Sequence, residues 1–257
     1  MPVNNALFTA KSLGLEYDVA GTMVRGILPC DIVIPECATT IIFGASGSGK
    51  SSLLNVLSGL QKPTTGSLHF RNEELYSKSQ NELAYFRANE LGIVYQTNYW
   101  VKSLNVLDNI SMPLYFQGES KVLAHKKARA ALERVDMVEF ANQYPILLSG
   151  GEQQRVAMAR AIISDPSVII ADEPTGSLDS KNGDKIIELL KQLHKENGKT
   201  IILVTHNMEY LHIANHLLEI QDGKVDQIEE SKISKTVKSI LSETQERISK
   251  LMKGHVS

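Results

Sequence analysis

Short apolar runs alternate along this 257-residue chain with stretches whose apolar residues recur every three or four positions. The first pattern predicts buried strands and the second amphipathic helices, so the alternation predicts an α/β fold. Thr39 to Phe43 (TTIIF) reads as a buried strand running into glycines and then a helix with Leu53, Val56, Leu57 and Leu60 on one face. Pro63 and Gly66 punctuate a turn before a short strand, Ser67 to Phe70. Val168 to Ala171 is a second buried strand, followed by a helix that repeats its apolar face at Ile186, Leu189, Leu190 and Leu193. Thr200 to Thr205 is a third, and Asp222-Gly223 separates two short strands as a hairpin turn.

Between about Asn98 and Arg160 the pattern becomes helical, as in Val122 to Val135, and reads as a helical insertion between strands of the core. The chain from 229 to 257 forms a separate amphipathic tail. Ile233, Val237, Ile240, Leu241, Ile248, Leu251 and Met252 make one helical stripe opposite a face of mixed charge. Such a helix packs on its own domain or a second copy, or it binds a partner or a membrane surface.

Composition narrows the classes. Hydrophobic residues at 42% and charged residues at 22% suit a globular protein and exclude a disordered or collagen-like chain. A balance of 27 Lys+Arg against 29 Asp+Glu removes the main argument for nucleic-acid binding, so no nucleic-acid partner is expected. Cys30 and Cys37 have no metal-ligand spacing and read as ordinary thiols in a reducing compartment. The N-terminal residues lack the pattern of a signal peptide, and no apolar run reaches the roughly 20 residues of a membrane helix. A cytosolic chain is expected, with any membrane role carried by a partner.

The chemistry starts at Gly44-Ala45-Ser46-Gly47-Ser48-Gly49-Lys50-Ser51, a complete GxxxxGK[ST] between a predicted strand and a predicted helix. Average residue usage produces the bare pattern by chance in roughly one chain per hundred of this length, and the context lowers that further. Glycines let successive N–H groups turn inward on phosphate oxygens, and the positive end of the following helix reinforces them. Lys50 would reach the β- and γ-phosphates of a nucleotide, the Ser51 hydroxyl would ligate Mg²⁺, and Ser52 can donate to the α-phosphate. Hydrolysis also needs a carboxylate for the metal and a group that orients water. Asp172 and Glu173, at the C-terminal end of the strand Val168-Ile-Ile-Ala, offer both.

Leu148-Ser149-Gly150-Gly151-Glu-Gln-Gln-Arg155 resembles the signature of the ATP-binding-cassette (ABC) ATPases, and it lies just upstream of the acidic strand, as in that family. The other elements come in the family's order. Tyr17 matches the aromatic that stacks on adenine, and Gln96 the glutamine that touches Mg²⁺ and links to the helical insertion. Ser177-Leu178-Asp179 matches the loop that crosses the dimer interface, and His206 the histidine at the γ-phosphate. The resemblance covers about residues 7 to 228. Asp172-Glu-Pro-Thr-Gly-Ser-Leu-Asp179 and Asn109-Ile-Ser-Met-Pro-Leu114 are similar to the branch of lipoprotein-releasing, macrolide-exporting and cell-division ATPases. Ser52 stands where threonine is usual, Ser177 where asparagine or alanine is common, and Thr97-Asn-Tyr99-Trp100 departs from the branch's usual run. Trp100 reads equally as a contact anchor or a core residue.

The resemblance implies a P-loop NTPase fold with a RecA-like core, an antiparallel β subdomain and a helical subdomain at about 98–160, all within an ATP-binding domain of residues 1–228. It implies that two copies pair head to tail, each ATP lying between Lys50 of one and Ser149 to Gly151 of the other. Hydrolysis by Glu173 with His206 would reopen the dimer, with Ser51, Gln96 and Asp172 toward the metal and Asp179 at the interface. It further implies an integral membrane permease as partner and a place on the cytoplasmic face of the membrane. Export, extraction or release is the expected task. Mechanotransmission to an extracytoplasmic partner and solute import stay open as alternatives. A soluble role on ribosomes or DNA is disfavoured. Ribosome-acting members of the family usually carry two cassettes in one chain, and DNA-acting members insert long coiled coils between the two motifs, whereas only about 120 residues separate Lys50 from Asp172.

Overall fold

The computed structural model describes residues 5–242, except 177 and 230. Two sheets organise the chain. Strands β1 (Ala6–Val19) and β2 (Thr22–Pro35) form a long antiparallel hairpin. The second sheet is built on β3 (Thr39–Phe43), which leads into helix α1 (Lys50–Leu57). Next, β4 (Thr65–Phe70) and β5 (Glu73–Glu74) complete the first sheet in the order β2-β1-β4-β5. Helix α2 (Gln80–Glu90) and β6 (Leu91–Val94) follow. Three helices, α3 (Val106–Phe116), α4 (Lys121–Glu133) and α5 (Gly150–Ile162), separate β6 from β7 (Val168–Asp172). The rest is α6 (Ser180–Asn197), β8 (Thr200–Thr205), β9 (His216–Gln221), β10 (Lys224–Ile228) and a helix α7 over 231–242. The larger sheet runs β10-β9-β3-β8-β7-β6, with every pairing parallel except β10 with β9.

Strand alternation sorts the core onto two sides of that sheet. Ile42, Ile170, Ile202, Val204 and Leu218 face the antiparallel sheet and α1, while Ile41, Phe43, Ile169, Leu203 and Leu217 face α3 to α6. Strands β3, β7 and β8 are buried on both faces, which is why their sequences read as nearly unbroken apolar runs.

The predicted strands at 39–43 and 200–205 are observed with those bounds. The strand predicted at 67–70 begins at Thr65, the one at 168–171 extends to Asp172, and the helix expected over 122–135 spans Lys121–Glu133. Leu60 is a correction. Helix α1 ends at Leu57, Gly59 turns the chain at φ 69, and Leu60 lies outside, 49% exposed. Helix α2 was not foreseen because only Leu83 and Phe86 of its eleven residues are buried.

In α7, Ile233 and Val237 are buried and Ile240 and Leu241 half-buried against the α3–α6 side of the core, so the described part of the tail packs on its own domain. Ile248, Leu251 and Met252 lie outside the described residues. Cys30 and Cys37 are both free thiols. Burial, helped by the neighbouring Asp31 carboxylate, pushes the Cys30 thiol up to about 11, which keeps it protonated and unreactive.

Candidate functional site

The loop 44–49 curls between the C-terminal end of β3 and the first turn of α1. Two neighbouring backbones hold it. The Gly223 N–H, from the β9–β10 turn, donates to Ser48 O at 2.8 Å, and Leu28 N–H of β2 donates to Gly223 O at 2.8 Å. Gly49 has φ 113, and a Cβ there would come within 2.4 Å of Gly26 O, so only glycine fits. Helix α1 starts with no side-chain cap and no acid in its first turn. Its first N–H groups therefore face whatever occupies the loop, and an anion suits them.

Lys50 is buried, and its ammonium donates to Gly44 O at 2.9 Å and Ala45 O at 2.7 Å. Ala45, Ser46, Gly47 and Ser51 are exposed around it, and Ser48 Oγ is buried with no hydrogen-bond partner. The half-buried Ser52 accepts a hydrogen bond at 3.1 Å from the Tyr17 hydroxyl. Tyr17 thus lies beside the start of α1, with its ring 2.6 Å from the point a Cβ on Gly26 would occupy.

Asp172 and Glu173 stand where β7 ends. Burial and the adjacent Glu173 carboxylate hold the Asp172 carboxyl above its usual value, against the pull of Lys50. Glu173 has φ 48, in the left-handed region, and its N–H donates to Val204 O at 2.9 Å. That turn brings its carboxylate to His206, Oε2 to Nδ1 at 2.7 Å. The pair sits in a cavity of about 510 Å³ whose other walls include Thr175, Gly176, Leu178 and Leu241 of α7. Gln96 is exposed just after β6. Among the described residues no cluster of His, Cys, Asp and Glu is built to cage a metal. Ser51, Gln96 and Asp172 supply oxygen donors only, the type a hard cation prefers when phosphates complete its shell.

Ser149 caps α5 in a reciprocal arrangement. Its hydroxyl accepts from Glu152 N–H, while the Glu152 carboxylate accepts from Ser149 N–H at 2.8 Å and from its hydroxyl at 2.7 Å. These bonds hold the Glu152 carboxyl below its usual value. A Cβ on Gly150 would meet nothing within 4 Å, so this helix end opens on free space. Among the described residues, no hydrogen bond joins Ser149, Gly150 or Gly151 to the loop 44–49. Asp179 caps α6 by accepting from Asn182 N–H at 2.9 Å. Ser177, in the same loop, lies outside the described residues.

Two sets of contacts, around Asn182 and around Trp100, are not legible in the sequence. Asn182 bonds both Asp179 and Arg155. Trp100 is half-buried against the core, its indole N–H donates to Gln153 Oε1 at 2.9 Å, and Arg160 stacks over its ring at 4.5 Å. A groove of about 410 Å³ beside it is lined by Leu60, Tyr95, Tyr99, Pro113, Phe116 and Arg160, with Phe116 78% and Tyr99 69% exposed.

Comparison with known proteins adds independent findings. The family model described as ABC transporter matches residues 29–176. The lipoprotein-releasing system ATP-binding protein LolD of Nitratidesulfovibrio vulgaris is 38% identical, covering 85% of this chain and 94% of LolD. The macrolide export ATP-binding/permease protein MacB of Bartonella henselae is 36% identical over 90% of this chain, which spans 35% of that longer protein. Among solved structures, the dimeric post-hydrolysis state of the ATP-binding cassette MJ0796, a protein of Methanocaldococcus jannaschii, bound to ADP and Pi, superposes with TM-score 0.82. It is 35% identical and covers 87% of this chain and 98% of its own.

Proposed function

The chain belongs to the ABC transporter family as an ATP-hydrolysing cassette, and from that premise we propose that two copies close head to tail on two ATP molecules to drive a membrane partner that exports, extracts or releases its substrate. The observation that carries the reading is the pair of uncompleted phosphate-binding ends. The phosphate loop and Lys50 form one half-site, and the open N-terminus of α5 at Ser149 to Gly151 is available as the other. A second copy turned head to tail brings each half to its complement.

Within a closed site, Lys50 exchanges the carbonyls of Gly44 and Ala45 for the β- and γ-phosphates, and Tyr17 supports the adenine. Loop residues 44–49 and the hydroxyls of Ser51 and Ser52 line the phosphate chain. Ser51, Gln96 and Asp172 would hold Mg²⁺. The charge stress that raises the Asp172 pKa, two carboxylates half-buried side by side, fits a cation there. The ion held there would supply neutralisation of phosphate charge. Glu173 accepts the proton of the attacking water, and His206, 2.7 Å from it, orients that carboxylate and faces the γ-phosphate. Asp179 meets the second copy. Loss of the γ-phosphate removes the contacts that held the copies together, and the dimer reopens.

Among the described residues no helix is long and apolar enough to cross a membrane. The groove at Tyr99 and Phe116 supports docking of a permease segment on the cytoplasmic side, since exposed aromatics around a cavity form an anchor site. The named activities of LolD and MacB support release or export as the coupled task.

Glu173→Gln tests the reading, because it keeps the side chain's shape and removes the base. With Mg-ATP the variant elutes as a dimer on gel filtration and without nucleotide as a monomer. A variant that stays monomeric at saturating Mg-ATP overturns the sandwich.

A further inference from the structure

Asn182 is the third residue of α6, and its backbone N–H completes an ordinary cap by donating to Asp179 Oδ1 at 2.9 Å. Its side chain reaches beyond what the cap requires. Nδ2 donates to Asp179 Oδ2 at 2.7 Å, and Oδ1 accepts from Arg155 Nη1, in α5, at 3.2 Å. The orientation of the amide follows from its neighbours: a carboxylate only accepts and a guanidinium only donates, so a flipped amide would oppose both. The Asn182 Cγ also lies 3.2 Å from where a Cβ on Gly151 would stand, so a larger residue at 151 would press against it. One short side chain therefore ties the loop that begins α6 to the helix that begins with Gly150-Gly151.

We propose that Asn182 is a positioning residue that holds Asp179 and the α5 N-terminus as one preorganised face, so that both engage a second copy in a single step; this rests on the head-to-tail sandwich proposed above. Without the bridge, α5 and the Asp179 loop would have to be ordered relative to each other at the moment of pairing, and that ordering opposes association. The phosphate loop is untouched, so nucleotide binding to the monomer does not depend on Asn182.

The test places Asn182→Ala in the Glu173→Gln chain and measures two quantities: fluorescent-ATP affinity under monomeric conditions and the Mg-ATP concentration that gives half-maximal dimer by light scattering. Two side-chain hydrogen bonds are lost, so the half-dimerisation concentration rises about tenfold while monomer affinity stays unchanged. Asn182→Asp, which keeps an acceptor for Arg155 but sets a carboxylate against Asp179, shifts dimerisation in the same direction. A purely structural role would instead lower the unfolding temperature of each variant and leave dimerisation at matched nucleotide occupancy where it was. Equal dimerisation with and without Asn182 overturns the bridge and leaves the sandwich standing. A Glu173→Gln chain that never dimerises overturns the sandwich and the bridge with it.

Discussion

Lys50 keeps its charge inside the protein by lending it to two carbonyls, Gly44 O and Ala45 O. A buried ammonium needs such partners, because an unpaired one is costly. The same three donors can turn to phosphate oxygens, where the partner carries full negative charge and the bonds are stronger. Lys50→Ala therefore weakens ATP binding by about ten- to a hundredfold in calorimetric titration, the range expected for one lost charge-assisted bond. Glu173 makes a comparable point about the backbone. Its φ of 48 is unfavourable for a residue with a Cβ, of the order of 1 kcal/mol. The bonds to Val204 O and His206 hold it there. Sequence order suggested that Glu173 and His206 belong together. The turn that joins them at 2.7 Å belongs to the folded chain.

Elements set the shape of the phosphate loop from outside. The β9–β10 turn is bonded to Ser48 O on one side and to Leu28 N–H on the other, so a hairpin about 170 residues downstream holds the loop's curl. Gly223 sits there at φ 80, and Gly21, in the β1–β2 turn, has φ 82 with open space around it. Alanine at either position meets the same backbone strain. Gly223→Ala is expected to weaken fluorescent-ATP binding several-fold, whereas Gly21→Ala leaves it at the wild-type value. The hairpin itself was legible as Asp-Gly between two short strands, but its contact with the loop was not. A turn signal specifies local backbone shape and carries no information about what the turn touches.

At the scale of the whole molecule, the two-sided sheet buries one group that makes the fold acid-sensitive. His216 opens β9 with 8% exposure, its Nδ1 3.4 Å from Thr40 Oγ1 and its Nε2 buried without a partner. Burial lowers its pKa below the ordinary 6.5, so the folded chain resists the proton that the unfolded chain accepts. With more protons bound in the unfolded state, stability rises with pH in that window. The contribution is complete above about pH 6.5 and is lost as pH falls toward the lowered value. Urea midpoints measured from about pH 7 to pH 5 should decline in the wild type, and His216→Gln should flatten that decline.

The chain's pattern determined the α/β class, the strands at 39–43 and 200–205, the phosphate loop, the acidic strand and the signature, because each is written in consecutive residues. Local physics is enough for the strands and the loop, because an apolar run needs a core and a glycine-rich turn before a helix suits an anion, whereas the signature is read by its resemblance to a family. The pattern overextended α1 to Leu60, because periodicity continues past Gly59 while the backbone does not. It also missed α2, whose buried face is only two residues wide. The tertiary structure alone decided that Asn182 faces Arg155, that Gly223 holds Ser48, that Trp100 bonds Gln153 and that α7 lines the wall beside Glu173. Each is a contact across tens of residues between side chains or backbones that no local pattern marks. Such contacts arise only when the sheet's parallel order and the packing of helices on its two faces bring distant segments to the same place.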